Sequence, residues 1–219
     1  MNPLPWYDRV APIYDLGMMG DWYYRNARGK AVSELAPQPG GTCFVFFCGT
    51  GIDFPRLART MGSGTIVGLD GSAAMLERAG RRSQELAAPG LQFRFNQANF
   101  GTDKGLAEVT RLIRDQQPAC LFYSLGLTCL SNWEAFFDAT YEAAAAGARF
   151  AILDVHSPRP GIGKAVIDWI GAADTARPVW RVLEAKAFSF RKVAFRPFRL
   201  VDVEVFAASG TKPPGGLVP

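Results

Sequence analysis

The stretch Phe47-Cys48-Gly49-Thr50-Gly51 follows directly on an apolar run, Cys43-Phe44-Val45-Phe46-Phe47. An acid, Asp70, closes the next apolar run, Thr65-Ile66-Val67-Gly68-Leu69. Glycines at a strand end let a ligand approach the backbone closely. A carboxylate at the tip of the second strand, about twenty residues beyond the loop, suits the two hydroxyls of a ribose. The chemistry this pairing points to is nucleotide binding. A tight strand–helix turn beside a surface aspartate is the other reading. The absence of a third glycine and of a Gly-Lys-Ser/Thr run argues against a phosphate-binding P-loop. Three further stretches stand at strand ends: Asn96 to Phe100, Tyr123-Ser124-Leu125-Gly126, and Asp154-Val155-His156. His156 is the sole histidine. With an ordinary pKa near 6.5 it is a candidate general base; a histidine in a surface loop is the alternative.

Buried strands alternating with helices must position these residues. Helical spacing runs through Trp6, Val10, Ile13 and Tyr14, and again through Trp22, Tyr23, Ala27, Ala31 and Leu35, until Pro37 to Gly41 ends it. Strands are expected at 43–47, 65–69, 91–96, 119–123 and 150–153. Helices are expected at 55–61, 73–87 with Ser72 as N-cap, 104–115, 133–146 ended by Gly147, and 166–173. Five strands separated by helices imply a parallel sheet covered on both faces. Two closing strands, 188–195 and 198–206, without a helix between them imply a hairpin with an antiparallel member. Ligands of such sheets bind at the carboxyl ends of the strands, near the switch in strand order.

Composition narrows the class. The chain has 219 residues, 48% of them apolar, and a formal net charge of +4. That suits one packed domain and is too weakly basic to argue for nucleic acid. No run of about eighteen apolar residues occurs, and the N-terminus has no secretory h-region, so a cytoplasmic location is expected. Cys43, Cys48, Cys120 and Cys129 form no CxxC, and with one histidine no metal site is expected; buried free thiols are. Trp6, Tyr7, Ile13, Leu16, Met18, Met19, Trp22 and Tyr23 form an aromatic and methionine-rich entry region. It reads as core packing, as an entrance for an apolar substrate, or as a peripheral contact with a membrane. Phe188, Phe190, Phe195 and Phe198 interleave with Arg191, Lys192, Arg196 and Arg199. That pattern reads as a strand with one wet face or as a basic rim for an acidic or lipid substrate.

CGTG, GLDGSAAMLERA, LFYSLGL and AAAAGARFAILDVH, in this order and spacing, resemble the class I S-adenosylmethionine-dependent methyltransferases. The opening YDRVAPIYD is similar to the subgroup holding the ubiquinone/menaquinone C-methyltransferases and the bacterial phosphatidylethanolamine N-methyltransferases. The resemblance implies an α/β fold: a Rossmann-like, seven-stranded, mostly parallel sheet of order 3-2-1-4-5-7-6 with helices on both faces. A helical lid over residues 1–36, a core over 37–210 and a disordered or tag-derived tail over 211–219 complete the expected organisation. The implied cofactor, S-adenosylmethionine, lies across Gly49, Thr50 and Gly51 with its ribose on Asp70 and Gly71. Met75, Asn99 and Phe100 flank the adenine, and Ser124 completes the cofactor set. Tyr7 and Tyr14 close the lid. Phe47 and Leu125 join Tyr7 on the substrate, and Tyr14, Tyr123 and His156 are the implied catalytic groups.

Three positions depart from the family pattern. Val45 stands where an acid is usual, Phe47 where a glycine is usual, and Asn99 where an aspartate is frequent. An asparagine still accepts a hydrogen bond through its amide oxygen. A phenylalanine at a backbone–ligand contact is expected to crowd the cofactor unless its ring turns into the core. The expected activity is methyl transfer to a small molecule or lipid. The alternatives are a cofactor-free cyclisation, isomerisation or rearrangement on the same fold, and a non-catalytic partner protein.

Overall fold

The computed structural model describes residues 20–196 and 202–214. In chain order the elements are α1 (Gly20–Leu35), β1 (Thr42–Phe46), α2 (Phe54–Met61), β2 (Gly64–Asp70), α3 (Ala73–Glu85), β3 (Leu91–Gln97), α4 (Asp103–Gln116), β4 (Cys120–Ser124), α5 (Trp133–Ala143), β5 (Arg149–His156), α6 (Ile162–Gly171), α7 (Arg181–Glu184), β6 (Phe188–Phe195) and β7 (Glu204–Thr211). The seven strands form one sheet in the order β3-β2-β1-β4-β5-β7-β6. The first five run parallel, and β7 is antiparallel to both β5 and β6.

Side chains alternate across each strand, so the apolar runs feed two cores. Phe44 and Phe46 of β1 pack with Val67, Leu121, Tyr123, Phe136 and Phe150 on one face. Cys43 and Val45 pack with Ala27, Ala31, Leu35, Phe54, Leu57 and Phe122 on the other. A strand buried on both faces explains why β1 reads as uninterrupted hydrophobic sequence. Cys43, Cys48 and Cys120 are buried and Cys129 is half-buried, and none of the four forms a disulfide.

The closing strand departs from expectation. It occupies Glu204–Thr211, displaced toward the C-terminus from the expected 198–206. Its small residues Ala207, Ala208, Ser209 and Gly210 read as weak strand material, yet all are buried. Ala207 packs in the core that α1 shares, and Ala208 and Gly210 face the other way, where an added Cβ at Gly210 would come within 2.5 Å of Ala187 Cβ. A full eight-residue pairing with β7 also extends β5 to His156, three residues beyond the expected end. Thr211 ends a strand, and Lys212 Nζ donates to the carbonyls of Tyr141, Glu142 and Ala144. Both residues therefore belong to the fold and not to a tail. Those bonds sit at the C-terminus of α5, which stops at Ala143, short of the expected Ala146. Helix α6 begins at Ile162, four residues before its expected start. Among the described residues no helix is long and apolar enough to cross a membrane.

Candidate active site

The loop leaving β1 is pinned to the tip of β2. Cys48 N donates to Leu69 O at 3.1 Å, and Gly51 N donates to Cys48 O at 2.9 Å. Gly49 N donates to Asp70 Oδ2 at 2.9 Å, and Ser72 N donates to Asp70 Oδ1 at 2.9 Å. The Asp70 carboxylate is thereby oriented by backbone before any ligand arrives. Its oxygens retain lone pairs, since an ionised carboxylate offers about four acceptor sites. The two loop glycines do different work. At Gly49 (φ 52°) an added Cβ would meet nothing within 4 Å, so this backbone faces open space. At Gly51 (φ 76°) it would strike the Phe54 ring at 2.6 Å and sit 3.3 Å from Ala79 Cα, so this glycine serves helix packing.

One cavity of about 860 Å³ opens at the carboxyl edge of the sheet. That is at the upper end for small-molecule sites, roughly 300–1,000 Å³. Phe47, Gly49, Thr50, Asp70, Gly71, Met75, Asn99, Phe100, Ser124 and Leu125 line it. Gly51, Tyr123 and His156 are not among the lining residues. Tyr7 and Tyr14, with the rest of the expected lid through residue 19, lie outside the described residues, as do Phe198 and Arg199.

Phe47 keeps the left-handed backbone a glycine would adopt, at φ 55°, and Leu125 at the tip of the neighbouring β4 has the same φ of 55°. Such conformations cost about 1–3 kcal/mol in a residue with a side chain, so packing must hold them. The Phe47 ring lies edge-on to Phe100 at 4.8 Å and to Phe136 at 5.7 Å. It lies over Gly126, where an added Cβ would come within 2.0 Å of Phe47 Cγ. The ring thus turns toward β4 and leaves the Gly49 shelf uncovered.

Two expected catalytic groups belong elsewhere. Tyr123 is fully buried, its Oη 2.7 Å from Thr140 Oγ1 and its ring stacked on Phe46 at 4.8 Å. Burial raises its phenol above the ordinary range. Strand alternation sends Tyr123 into the core and its neighbour Ser124 to the cavity. His156 lies within β5, its Nδ1 3.0 Å from Thr175 O and its ring 4.7 Å from that of Trp180. Burial lowers its pKa despite the opposing influence of Glu204. His156→Ala and Tyr123→Phe are expected to leave the turnover rate unchanged. Tyr123→Phe is expected to lower the unfolding free energy by about 1 kcal/mol for one lost hydrogen bond. Steady-state kinetics and urea denaturation check both, and a large drop in rate with either variant would restore the residue to the chemistry.

Two site residues went unmarked in the sequence reading. Arg28 Nη1 donates to Asp53 Oδ2 at 2.5 Å, and Ser124 Oγ donates to the same oxygen at 2.6 Å. Arg28 lies 5.5 Å from the Tyr24 ring centroid and lines the cavity. Side-chain exposure is 6% for Arg28 and 2% for Asp53, so this is a buried ion pair. Arg28 Nε and Asp53 Oδ1 make no hydrogen bond. Asp53 begins α2, yet its carboxylate forms no capping bond and turns to Arg28 instead. The signal was present: Arg28 sits on the buried stripe of Ala27, Ala31 and Leu35, where an isolated charge needs a partner.

Below the far wall, Asp154 accepts from Thr128 N at 3.2 Å, Thr128 Oγ1 at 2.8 Å and Val155 N at 2.8 Å. Burial pushes its carboxyl up to about 6 against those bonds to its charged form. It ties the turn Leu127–Cys129 to β5. Thr128, Cys129, Leu130, Trp169, Ala172 and Ala173 carry the cavity on from there as a largely apolar lobe. The acids bordering this lobe are engaged: Asp168 with Lys164, and Asp174 with Arg177 at 3.1 Å. No three His, Cys, Asp or Glu side chains gather as a metal site among the described residues.

Residues 46–147 match the family described as a methyltransferase domain. The chain is 31% identical over 158 residues to the 2-phytyl-1,4-naphtoquinone methyltransferase of Nostoc sp. (strain PCC 7120 / SAG 25.82 / UTEX 2576), covering 69% of this chain and 64% of that protein. The matched part thus spans somewhat less than two thirds of that relative's length. Among solved structures, the geranyl diphosphate C-methyltransferase from Streptomyces coelicolor A3(2), in complex with Mg2+, geranyl diphosphate and S-adenosyl-L-homocysteine, superposes with a TM-score of 0.64 at 13% identity, over 86% of this chain and 80% of that one. The [4+2]-cyclase SpnF superposes with a TM-score of 0.72 at 14% identity, over 97% of this chain and 96% of that one. These two likenesses speak to the fold. The strand order and the loop pinned to the second strand tip place this chain on the class I methyltransferase fold, and residues 46–147 are similar to a methyltransferase domain.

Proposed function

We propose that this chain transfers a methyl group from S-adenosylmethionine to an apolar small-molecule or lipid acceptor. The observation that carries the reading is a single cavity in which the open Gly49 shelf and the Asp70 carboxylate share space with the apolar lobe. The name of the Nostoc relative, a methyltransferase of a phytyl-bearing quinone, supports an acceptor of this class.

The residues present fit the cofactor. Gly49 carries no side chain into the open space, and Asp70 is already oriented for hydroxyl donors. Arg28 brings a cation to the cavity wall, held by Asp53 and 3.9 Å from Asp21. When bound, the cofactor supplies an electrophilic methyl group on a sulfonium. Asp70 accepts from the ribose hydroxyls. Met75, Asn99 and Phe100 hold the adenine. Asn99 Oδ1 already accepts from Gly101 N at 3.1 Å, and its second lone pair serves the adenine amine. Arg28 holds the carboxylate of the methionine end and so replaces the order that an acid at Val45 would bring. Leu125, Leu130 and Trp169 hold the acceptor and exclude water.

No free general base lines the described part of this cavity: Asp70, Asp168 and Asp174 are each engaged, and His156 is elsewhere. The chain's contribution is alignment of nucleophile and methyl, an effect that reaches several kcal/mol in well-oriented pairs. An acceptor atom that is electron-rich on its own account, as an amine or the ring carbon of a hydroquinone is, suits such a cavity. The free cysteines support a reducing, cytoplasmic setting.

Calorimetry with S-adenosylhomocysteine, followed by methyl-labelled cofactor with a naphthohydroquinone, tests the reading. Saturable micromolar binding and label in the quinone are expected; no heat at millimolar ligand would sink it. A cofactor-free reaction on the same fold is the second reading, and the strained Phe47 favours it. Phe47→Gly separates the two. On the leading reading it changes cofactor affinity by less than about tenfold, because the ring already lies over Gly126. It lowers stability by about 1–3 kcal/mol through the emptied ring site, net of relieved strain. On the second reading the wild type does not bind, and Phe47→Gly with Val45→Asp restores binding.

A further inference from the structure

Helix α6 is inside out. Its exposed residues are Ile162, Ala165, Val166 and Trp169, which at spacings of three and four form one apolar stripe. Ile162 is 86% exposed, Val166 46% and Trp169 78%. The ion pair of the helix faces the opposite way: the side chains of Lys164 and Asp168 are only 19% and 23% exposed. Asp168 Oδ1 accepts from Thr175 N at 2.9 Å, and Lys164 Nζ lies 3.8 Å from Asp174. These bonds fix the roll of the helix, so it cannot bury its stripe without breaking them. A helix on the surface of a water-soluble domain normally does the reverse.

The stripe begins at the mouth of the cavity, because Trp169 and Asp168 line that cavity. Basic side chains share this edge of the sheet. Arg159, 82% exposed and 3.7 Å from the partly exposed Asp202, stands just before α6. Arg196, also exposed, ends β6, and the β5–β7–β6 pairing brings that end of β6 to the end of β5. Four side chains on a helix of about 15 Å fall well short of the roughly 800 Å² per partner that a stable protein interface buries. They match the short apolar face with which interfacial helices enter the headgroup boundary, where tryptophan is enriched.

We propose that the Ile162–Trp169 stripe docks on an anionic lipid bilayer and seats the cavity mouth at the acyl boundary, so that an apolar acceptor enters without crossing water. The purpose of this contact rests on the apolar-acceptor reading; its measurement does not. Flotation of the full chain with phosphatidylcholine vesicles, with and without phosphatidylglycerol, tests it. Binding to the phosphatidylglycerol vesicles that weakens with salt is expected. The double variant Ile162→Glu with Val166→Glu is expected to lower partitioning about tenfold or more, and Ile162→Leu with Val166→Leu to retain it. Neither position lines the cavity, so S-adenosylhomocysteine binding should be the same in all three proteins, which also reports folding. Failure of the wild type to float, or equal flotation of the glutamate variant, would overturn the proposal. So would a dimer, seen by light scattering, that the glutamate variant dissociates while no protein floats. Flotation without cofactor binding would remove the methyltransferase reading and leave this one standing; methylation of detergent-dispersed quinone without flotation would do the opposite.

Discussion

Asp53→Ala is expected to lower the unfolding free energy by about 3 kcal/mol, because it leaves a buried arginine with only the more distant Asp21 carboxylate, at 3.9 Å. The carboxylate bonds Arg28 at 2.5 Å and Ser124 at 2.6 Å, and both donors lose their acceptor in one step. The guanidinium has little access to water to compensate, with only 6% of its side chain exposed. Removing both charges is a different matter. Arg28→Met with Asp53→Leu fills similar volume without leaving a lone ion, and buried pairs so replaced are often neutral in stability. Urea denaturation of the two single variants and the double variant gives the cycle. A deficit for Asp53→Ala below about 1 kcal/mol would place the pair among weakly coupled surface ions. The double variant also isolates function. It should fold, and it should bind S-adenosylhomocysteine more weakly than the wild type, since Arg28 is the cationic group proposed for the methionine carboxylate. Undiminished affinity in the folded double variant would remove that role.

Asp70→Ala is expected to weaken S-adenosylhomocysteine binding about a hundredfold. Hydrogen bonds to a charged group contribute about 1.5–3 kcal/mol, and each 1.4 kcal/mol is tenfold in affinity. The same substitution removes the acceptor that Gly49 N and Ser72 N share at 2.9 Å each, while the Cys48 N–Leu69 O and Arg82–Thr50 bonds still hold the loop. Asp70→Asn should fall between the two: its amide oxygen keeps one acceptor, while its NH2 group meets a backbone N–H. Calorimetry reads all three proteins. Affinities within about threefold of one another would mean that the ribose is held elsewhere and that the carboxylate serves the loop alone.

The meeting of the Gly49 loop with Asp70 was legible because its determinants are local. The loop and Asp70 each sit at the end of an apolar strand, and parallel pairing of β1 with β2 brings those ends together. Gly51 was misplaced for a reason no local pattern reveals: its crowding comes from Phe54 and Ala79, the latter on α3. The rest of the cavity was harder to read. Tyr123 and His156 both stood near strand ends, but one residue of register separates a core tyrosine from the cavity-facing Ser124. The expected partner β7 pairs further along β5 than the apolar run suggests, and so draws His156 into the sheet. Arg28 and Asp53 are 25 residues apart and meet only through packing.

Sequence alone determined the alternation of strands and helices, the two-faced burial of β1 and the shelf with its acid, because hydrophobic period and glycine placement act over a few neighbouring residues. Tertiary structure alone decided where the Phe47 ring turns, that Arg28 and Asp53 neutralise one another, that small residues of β7 form a central strand, and that α6 carries its apolar stripe outward. Each of those depends on which distant surface a side chain meets, and a side chain's own neighbours in the chain do not carry that information.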